Sequence, residues 1–373
     1  MIERVKIKNF KAIQEADIRF SDITAFIGNN GSGKSSVIEA LQTLQNCMLF
    51  SLGEAFNSRW LGLDNVKNAL STGPVEYEIT GTYGDVSFVY SIAIDVNASN
   101  DNYFVDSERL LENGVLQYEL SPSDDPMRGE LNAHNLTIPV PVGLYKPILI
   151  QDGLVTGSAI FCVKQFILGW QFISLEPEKM YLPSPKEFSR KGWLIKSSGE
   201  NLADFFNPNN SSFHYETIIE KLRYVLPDLA YIGKDDIEIQ KLVFLYLTEN
   251  QHDKRLPSWL FSSGTLRILT LLTLLNSEIV PPVIFIEEVE NGLDPRTLNL
   301  LIEEMHGLIP KSQFVFTTHS PYLLDLLDLS HIVVADRKEG KTTYHRPEDD
   351  ASLKVWSAEF SPGRLYLMDK LNS

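Results

Sequence analysis

The stretch ITAFIGNNGSGKSS, residues 23–36, decides the fold. Ile23 to Ile27 is a compact apolar run that reads as a buried strand. The loop Gly28-Asn29-Asn30-Gly31-Ser32-Gly33-Lys34-Ser35 follows it and fits the pattern GxxxxGK followed by Ser or Thr. From Ser36 to Leu44, the spacing of Val37, Ile38, Leu41 and Leu44 predicts an amphipathic helix. A glycine loop between a buried strand and a helix suits phosphate. Glycines let successive N–H groups curl around an anion, and the helix N-terminus adds partial positive charge. Lys34 has the reach for β- and γ-phosphates, and the Ser35 hydroxyl suits Mg2+. The expected cofactors are therefore ATP and Mg2+, held by Asn29, Asn30, Gly31, Ser32, Gly33, Lys34, Ser35 and Ser36.

Working outward, a second buried strand, PVIFIE (282–287), ends in the carboxylate pair Glu287-Glu288 and runs on as VENGLDP. One carboxylate is expected to hold the metal, and the other to sit beside an attacking water. Neighbours on a strand point to opposite sides, so one pair could fill both roles. Glu287 is the metal candidate and Glu288 the base. A third apolar strand, QFVFT (313–317), leads into Thr317-Thr318-His319-Ser320-Pro321. His319 could touch a γ-phosphate there, or be a satisfied structural residue. Phe261-Ser262-Ser263-Gly264-Thr265-Leu266-Arg267 opens a helix whose small residues suit an anion, although the same residues also make an ordinary helix cap.

Around these elements the pattern is mixed α/β. Residues 4–8 and 15–20 read as short strands, 75–95 and 103–120 as hairpins, 158–174, 213–226 and 263–276 as helices, and 331–346 as a terminal hairpin. Residues 121–136 read as a polar loop or boundary. The fold class expected from the pattern is a mixed α/β P-loop core with an antiparallel β addition; the order of the four motifs resembles ABC-type ATPase heads, and that resemblance implies an ABC-type head with a helical lobe. Its segments are 1–125 (lobe I, P-loop and strands), 126–279 (helical lobe with the signature) and 280–373 (lobe I, carboxylate strand, switch and hairpin).

The chain has 373 residues, of which 43% are hydrophobic, and a formal net charge of −16. No apolar run is long enough for a bilayer and the N-terminus lacks a signal-peptide core, so a cytoplasmic protein without membrane contact is expected. The negative field weighs against open-surface nucleic-acid binding. Cys47 and Cys162 are far apart and read as buried free thiols. The acidic pairs Asp124-Asp125, Asp235-Asp236 and Asp349-Asp350 lie in polar, turn-like stretches and read as solvated loops rather than a second metal centre.

Taken together and in this order, the glycine loop, FSSGTLR, IEEVENGLDP and TTHSP resemble the ABC-type ATPase heads of the SMC and RecF class. The resemblance is closest to the stand-alone RecF-like ATPases that also supply the ATPase part of the overcoming-lysogenization-defect (OLD) nucleases. It extends to the opening IKNFKAIQEADIRF and to the central WQFISLEPEKM and SSGENLADFF, and so covers nearly the whole chain. It implies that Lys34 and Ser35 bind phosphate and metal, and that Glu288 is the catalytic glutamate. Glu287 stands in the Walker B aspartate position with a longer arm. Asp294 falls in the D-loop, and His319 is the switch. Ser262 and Gly264 are the signature residues that complete the site of an opposite subunit, with Ser263 departing from the commoner glycine. The Q-loop glutamine stays open among Gln151, Gln165 and Gln171.

The resemblance further implies a homodimer or higher homo-oligomer with ATP at the interface. No coiled coil is encoded, and little chain follows the last hairpin, so a nuclease domain on this chain is not expected. The favoured function is an anti-phage defence ATPase that controls a separate effector protein. The alternative is a RecF-like clamp on duplex DNA.

Overall fold

The computed structural model describes residues 1–97, 102–122, 128–133, 136–141, 146–151, 158–186, 195–206 and 214–371. By compactness the chain divides into two units. The first comprises Met1–Trp170, Leu329–Glu359 and Met368–Ser373, and the second Gln171–Asp328 and Phe360–Leu367.

The first unit begins with strands β1 (Ile2–Phe10), β2 (Ile13–Arg19) and β3 (Ile23–Ile27) and helices α1 (Lys34–Leu49), α2 (Leu52–Trp60) and α3 (Leu63–Val66). Strands β4 (Val75–Tyr83), β5 (Val86–Asn97), β6 (Asn102–Glu112), β7 (Val115–Pro122), β8 (Arg128–Ala133) and β9 (Leu136–Pro141) follow, then helix α4 (Ser158–Leu168). β1, β2 and β4–β9 form an antiparallel sheet in the order β2-β1-β4-β5-β6-β7-β8-β9. Its alternation is visible in β4, where Val75, Tyr77 and Ile79 are buried and the residues between them are half-exposed. β3 is buried along its whole length, as an uninterrupted apolar run requires.

The second unit carries β10 (Gln171–Ile173), α5 (Pro177–Met180), β11 (Ser184–Pro185), α6 (Leu202–Phe205), α7 (Tyr215–Val225), β12 (Leu229–Ile237), β13 (Leu242–Glu249) and β14 (His252–Pro257). Then come α8 (Ser263–Leu275), β15 (Val283–Ile286), α9 (Pro295–Leu308), β16 (Gln313–Thr317) and α10 (Pro321–Leu324). β10, β15 and β16 are parallel, with Ile173 opposite Ile286 and Ile286 opposite Phe316. Their carboxyl ends therefore share one edge, the edge at which open α/β sheets bind ligands. α8 is almost wholly buried. Its Thr270 and Thr273 hydroxyls donate to the carbonyls of Leu266 (2.8 Å) and Leu269 (2.6 Å), which lets threonine sit in an apolar interior.

The chain then returns to the first unit as β17 (Ile332–Lys338), β18 (Lys341–His345) and α11 (Ala351–Trp356). β17 runs parallel to β3, with Val334 opposite Ile27, and β18 is antiparallel to β17. Helix α12 (Pro362–Leu367) goes back to the second unit, where the Gly363 N–H donates to Asp325 Oδ1 at 2.7 Å.

Three segments differ from expectation. The helix expected over 158–174 stops at Leu168, and Gln171–Ile173 is a strand. The Gln45 side chain ends the helix by donating to the carbonyls of Ile167 (2.9 Å) and Trp170 (2.8 Å). Of the stretch expected as a polar loop, 128–133 is a strand. Within the segment expected as a helical lobe, β11–β14 form an antiparallel sheet. The boundary expected between residues 125 and 126 and the Asp124-Asp125 pair lie outside the described residues. Cys47 is buried as expected, and Cys162 is only half-buried. Among the described residues no helix is long and apolar enough to cross a membrane.

Candidate nucleotide site

The glycine loop joins β3 to α1 within the first unit. Asn29, Asn30 and Gly31 are exposed, Ser32, Gly33, Lys34 and Ser36 are buried, and Ser35 is half-buried. Lys34 Nζ folds back over the loop and donates to the carbonyls of Gly28 and Asn29, each at 2.9 Å. The cation is thus held at the mouth of its own loop. The Ser32 hydroxyl is buried without a hydrogen-bond partner among the described residues.

β18 lies behind the loop. The Tyr344 hydroxyl donates to the Gly33 carbonyl at 2.8 Å, and Gly33 has φ 105°. A Cβ there would come within 2.9 Å of both Thr342 Cγ2 and Tyr344 Oη, so glycine is required twice over, by the left-handed turn and by the approach of β18. Burial pushes the Tyr344 phenol up, and it stays a donor at any working pH. Sequence reading missed Tyr344, because a tyrosine in a terminal hairpin carries no motif.

In the second unit the two carboxylates sit after β15 rather than on it. β15 ends at Ile286, and the Glu287 N–H donates to the Ile173 carbonyl at 2.9 Å. Glu288 takes a left-handed backbone, φ 49°, uncommon for a residue with a Cβ. The expectation that strand alternation separates Glu287 from Glu288 is therefore corrected: a backbone reversal at Glu288 does so. Two partners hold this reversal, and the sequence flagged neither in that role. The Glu288 N–H donates to Thr317 Oγ1 at 2.9 Å, and the Asn291 side-chain amide donates to Glu288 Oε2. Glu287 is half-buried and Glu288 exposed. His319 follows β16 on the same edge and is half-buried.

Ser262 caps α8: its hydroxyl accepts from the Thr265 N–H at 3.0 Å. Gly264 packs on the turn that follows Glu288, where a Cβ would sit 2.5 Å from the Gly292 carbonyl oxygen. Asp294 caps α9 and accepts from the N–H groups of Arg296 (2.9 Å) and Thr297 (3.2 Å) and from the Thr297 hydroxyl (2.6 Å). The hydroxyl bond is the main cause that holds this carboxyl below its usual range. Asp294 is committed to its helix, and Gly264 to packing within its own unit.

Of the three Q-loop candidates, none ends β10 at the Glu287 edge. Gln171 starts that strand and donates to the Ile195 carbonyl at 2.8 Å. Gln165 lies in α4, and Gln151 donates to Lys146 O at 2.7 Å. Asp235 and Asp236 are on β12 rather than in a turn, paired with Arg255 (3.1 Å) and Lys186 (2.8 Å). Asp349 pairs with Arg19, and Asp350 caps α11.

In the first unit a glycine loop follows a buried strand and opens a helix, the layout of a phosphate-binding loop; in the second, carboxylates and a histidine follow the carboxyl ends of parallel strands. Residues 23–325 match the family described as "AAA domain, putative AbiEii toxin, Type IV TA system". The chain belongs to this family. Its sequence is similar to an OLD nuclease and its fold to SMC heads. It is 22% identical over 376 residues to the OLD nuclease of Thermus scotoductus, an alignment that covers 95% of the chain and 66% of that protein. The chain thus spans just under two thirds of the length of this relative. RecF of Porphyromonas gingivalis, a DNA replication and repair protein, is 46% identical over 48 residues, 13% of each chain. In fold, the AAA-family chain is similar to the Smc head domain of Pyrococcus furiosus bound to the C-terminal domain of ScpA. The TM-score there is 0.56 at 13% identity, with 96% of this chain and 98% of that one covered. A second Smc head, bound to the C-winged helix domain of ScpA, gives 0.53 at 12% identity, with 92% and 96% covered.

Proposed function

We propose that this chain binds Mg·ATP, hydrolyses it, and acts in the cytoplasm as a nucleotide-gated dimerising switch for a separate effector protein in anti-phage defence. The observation that carries the ATP reading is the buried Lys34 ammonium, parked on two loop carbonyls at 2.9 Å in a loop locked from behind. A cation so placed exchanges weak carbonyl partners for phosphate oxygens, a charge-assisted contact about twice as strong as a neutral one.

Mg2+ usually takes few protein ligands, with the rest from phosphate and water. Ser35 would offer a hydroxyl and Glu287 a carboxylate. Among the described residues no cluster of three or more His, Cys, Asp or Glu forms a dedicated metal cage. Bound there, the metal would neutralise phosphate charge. Glu288 is assigned to take a proton from the attacking water, and His319 to contact the terminal phosphate. Asn29, Asn30, Gly31, Ser32, Gly33 and Ser36 would surround the phosphates. Ser262 and Gly264 would face the nucleotide of the opposite copy, with Asp294 shaping the same turn.

The family description, and the printed name of the OLD relative, support the defence reading. The RecF similarity supports the alternative, a clamp on duplex DNA. One experiment addresses both. Glu288→Gln should slow single-turnover hydrolysis by about 10²–10⁴-fold while ATP stays bound. Light scattering should then show a mass increase that needs Mg·ATP, by linkage between binding and association. Hydrolysis at the wild-type rate would move the base elsewhere, with Glu287 the first suspect. Hydrolysis stimulated by duplex DNA would favour the clamp. Gly264→Asp is a poor control for signature use, because the close approach to Gly292 makes it a packing variant first.

A further inference from the structure

The turn after β15 carries a third carboxylate, Glu290, to which the motifs give no role. We infer that Glu290 is the positioning residue of the switch: it fixes the backbone of His319 and so aims that side chain. The inference rests on the hydrolytic reading above and extends it.

The backbone reversal at Glu288 sends the chain back across the end of β16. The Val289 N–H donates to the Thr317 carbonyl at 3.3 Å and Val289 is buried, so the next residue is carried over the switch segment. The Leu293 N–H closes the turn on the Glu290 carbonyl at 3.0 Å. Glu290 Oε1 then accepts the backbone N–H of His319 at 2.5 Å, a charge-assisted bond across a sequence separation of 29 residues. Its other oxygen, Oε2, is shielded from solvent and has no hydrogen-bond partner among the described residues.

A carboxylate is a costly way to satisfy one N–H, since the second oxygen loses its water without compensation. A neutral acceptor or a solvent molecule would serve a purely structural tie at lower cost. The charge instead strengthens the tie to the His319 N–H. The tied backbone links two segments, the one carrying Glu288 and the one carrying His319, so that they move together. The same turn also bears Asn291, which holds Glu288, so a single reversal orients both groups.

Two measurements on the full chain test this. The first is hydrogen exchange of the peptide containing His319, without nucleotide. Glu290→Ala should speed exchange of the His319 amide by about tenfold or more, because its acceptor is gone. Glu290→Asp, which keeps the charge but withdraws the oxygen, should do likewise. Glu290→Gln, which keeps an acceptor of the same length, should restore slow exchange.

The second is a kinetic cycle. Glu290→Ala should lower kcat about tenfold or more with KM for ATP changed by less than about threefold. Combined with His319→Ala, it should cost no more than about twofold beyond His319→Ala alone, since it acts through that residue. Unchanged exchange in both Glu290→Ala and Glu290→Asp would overturn the inference, as would multiplicative losses in the double variant. A wild-type chain that neither binds nor hydrolyses ATP would refute the proposed function, while the exchange result would still decide the fate of Glu290.

Discussion

The glycine loop and the carboxylate turn serve one proposed reaction but are built by opposite means. The loop reaches its left-handed conformation at Gly33 with glycine, and its cation rests on backbone carbonyls. The turn reaches its own left-handed conformation at Glu288 without glycine and is held by side chains, Thr317 below and Asn291 beside. The backbone-built half has a sequence pattern that any chain must repeat to make it. The side-chain-built half can be assembled from several residue combinations, so its supports carry no fixed signature.

This contrast is best broken where the loop depends on charge. Lys34→Ala should weaken ATP binding by about 10²-fold or more, since several charge-assisted contacts go at once. Calorimetry on the purified variant measures it. Unchanged affinity would mean that the backbone N–H groups alone suffice to hold the nucleotide.

A smaller effect is expected behind the loop. Tyr344→Phe removes the donor to Gly33 but keeps the ring, which packs edge-on to Phe26 with centroids 6.2 Å apart. The loss of one neutral hydrogen bond predicts a rise of about 2–10-fold in KM for ATP with kcat little changed. A fall in kcat alone would show that β18 acts on the chemical step and not on the cradle.

The smallest effect belongs to Asp294. Asp294→Ala should cost about 1 kcal/mol of stability, the usual worth of an N-cap, read from denaturant midpoints. Since the folded state lowers this carboxyl's pKa, its contribution is present above the unfolded value near 3.8 and is lost as pH falls through the folded value. The stability difference between wild type and Asp294→Ala should therefore shrink below about pH 4. A difference in hydrolysis larger than the stability change accounts for would show that Asp294 works on the nucleotide as well as on its helix.

Much of this architecture was legible from uninterrupted apolar runs. Residues 23–27 and 313–317 are strands over the expected span, because a fully buried parallel strand tolerates no polar interruption. The sheet of β12–β14 was not legible. LAYIGKDDI is half-exposed and HDKRLP mostly exposed, and cross-strand ion pairs and aromatic contacts hold them, which leave no clean period. The helix over 158–174 was overrun because QFI is as apolar as the helix before it, and the stop comes from Gln45, more than a hundred residues away. In the site, residues with a motif were found. Thr317 and Asn291 lay within the quoted segments, but their roles depend on a backbone reversal that no local propensity announces.

The bond between Gly363 and Asp325 has a consequence for how the molecule is made. Its partners are 38 residues apart, and at about 5–20 residues per second the ribosome delivers the second roughly 2–8 seconds after the first. Both compact units are discontinuous, and each takes pieces from beyond residue 328. Neither can close while its missing strands and helix are still being synthesised. Vectorial, unit-by-unit folding is therefore closed to this chain, and the apolar β3 and β15 wait for the residues beyond 328 before either unit is whole.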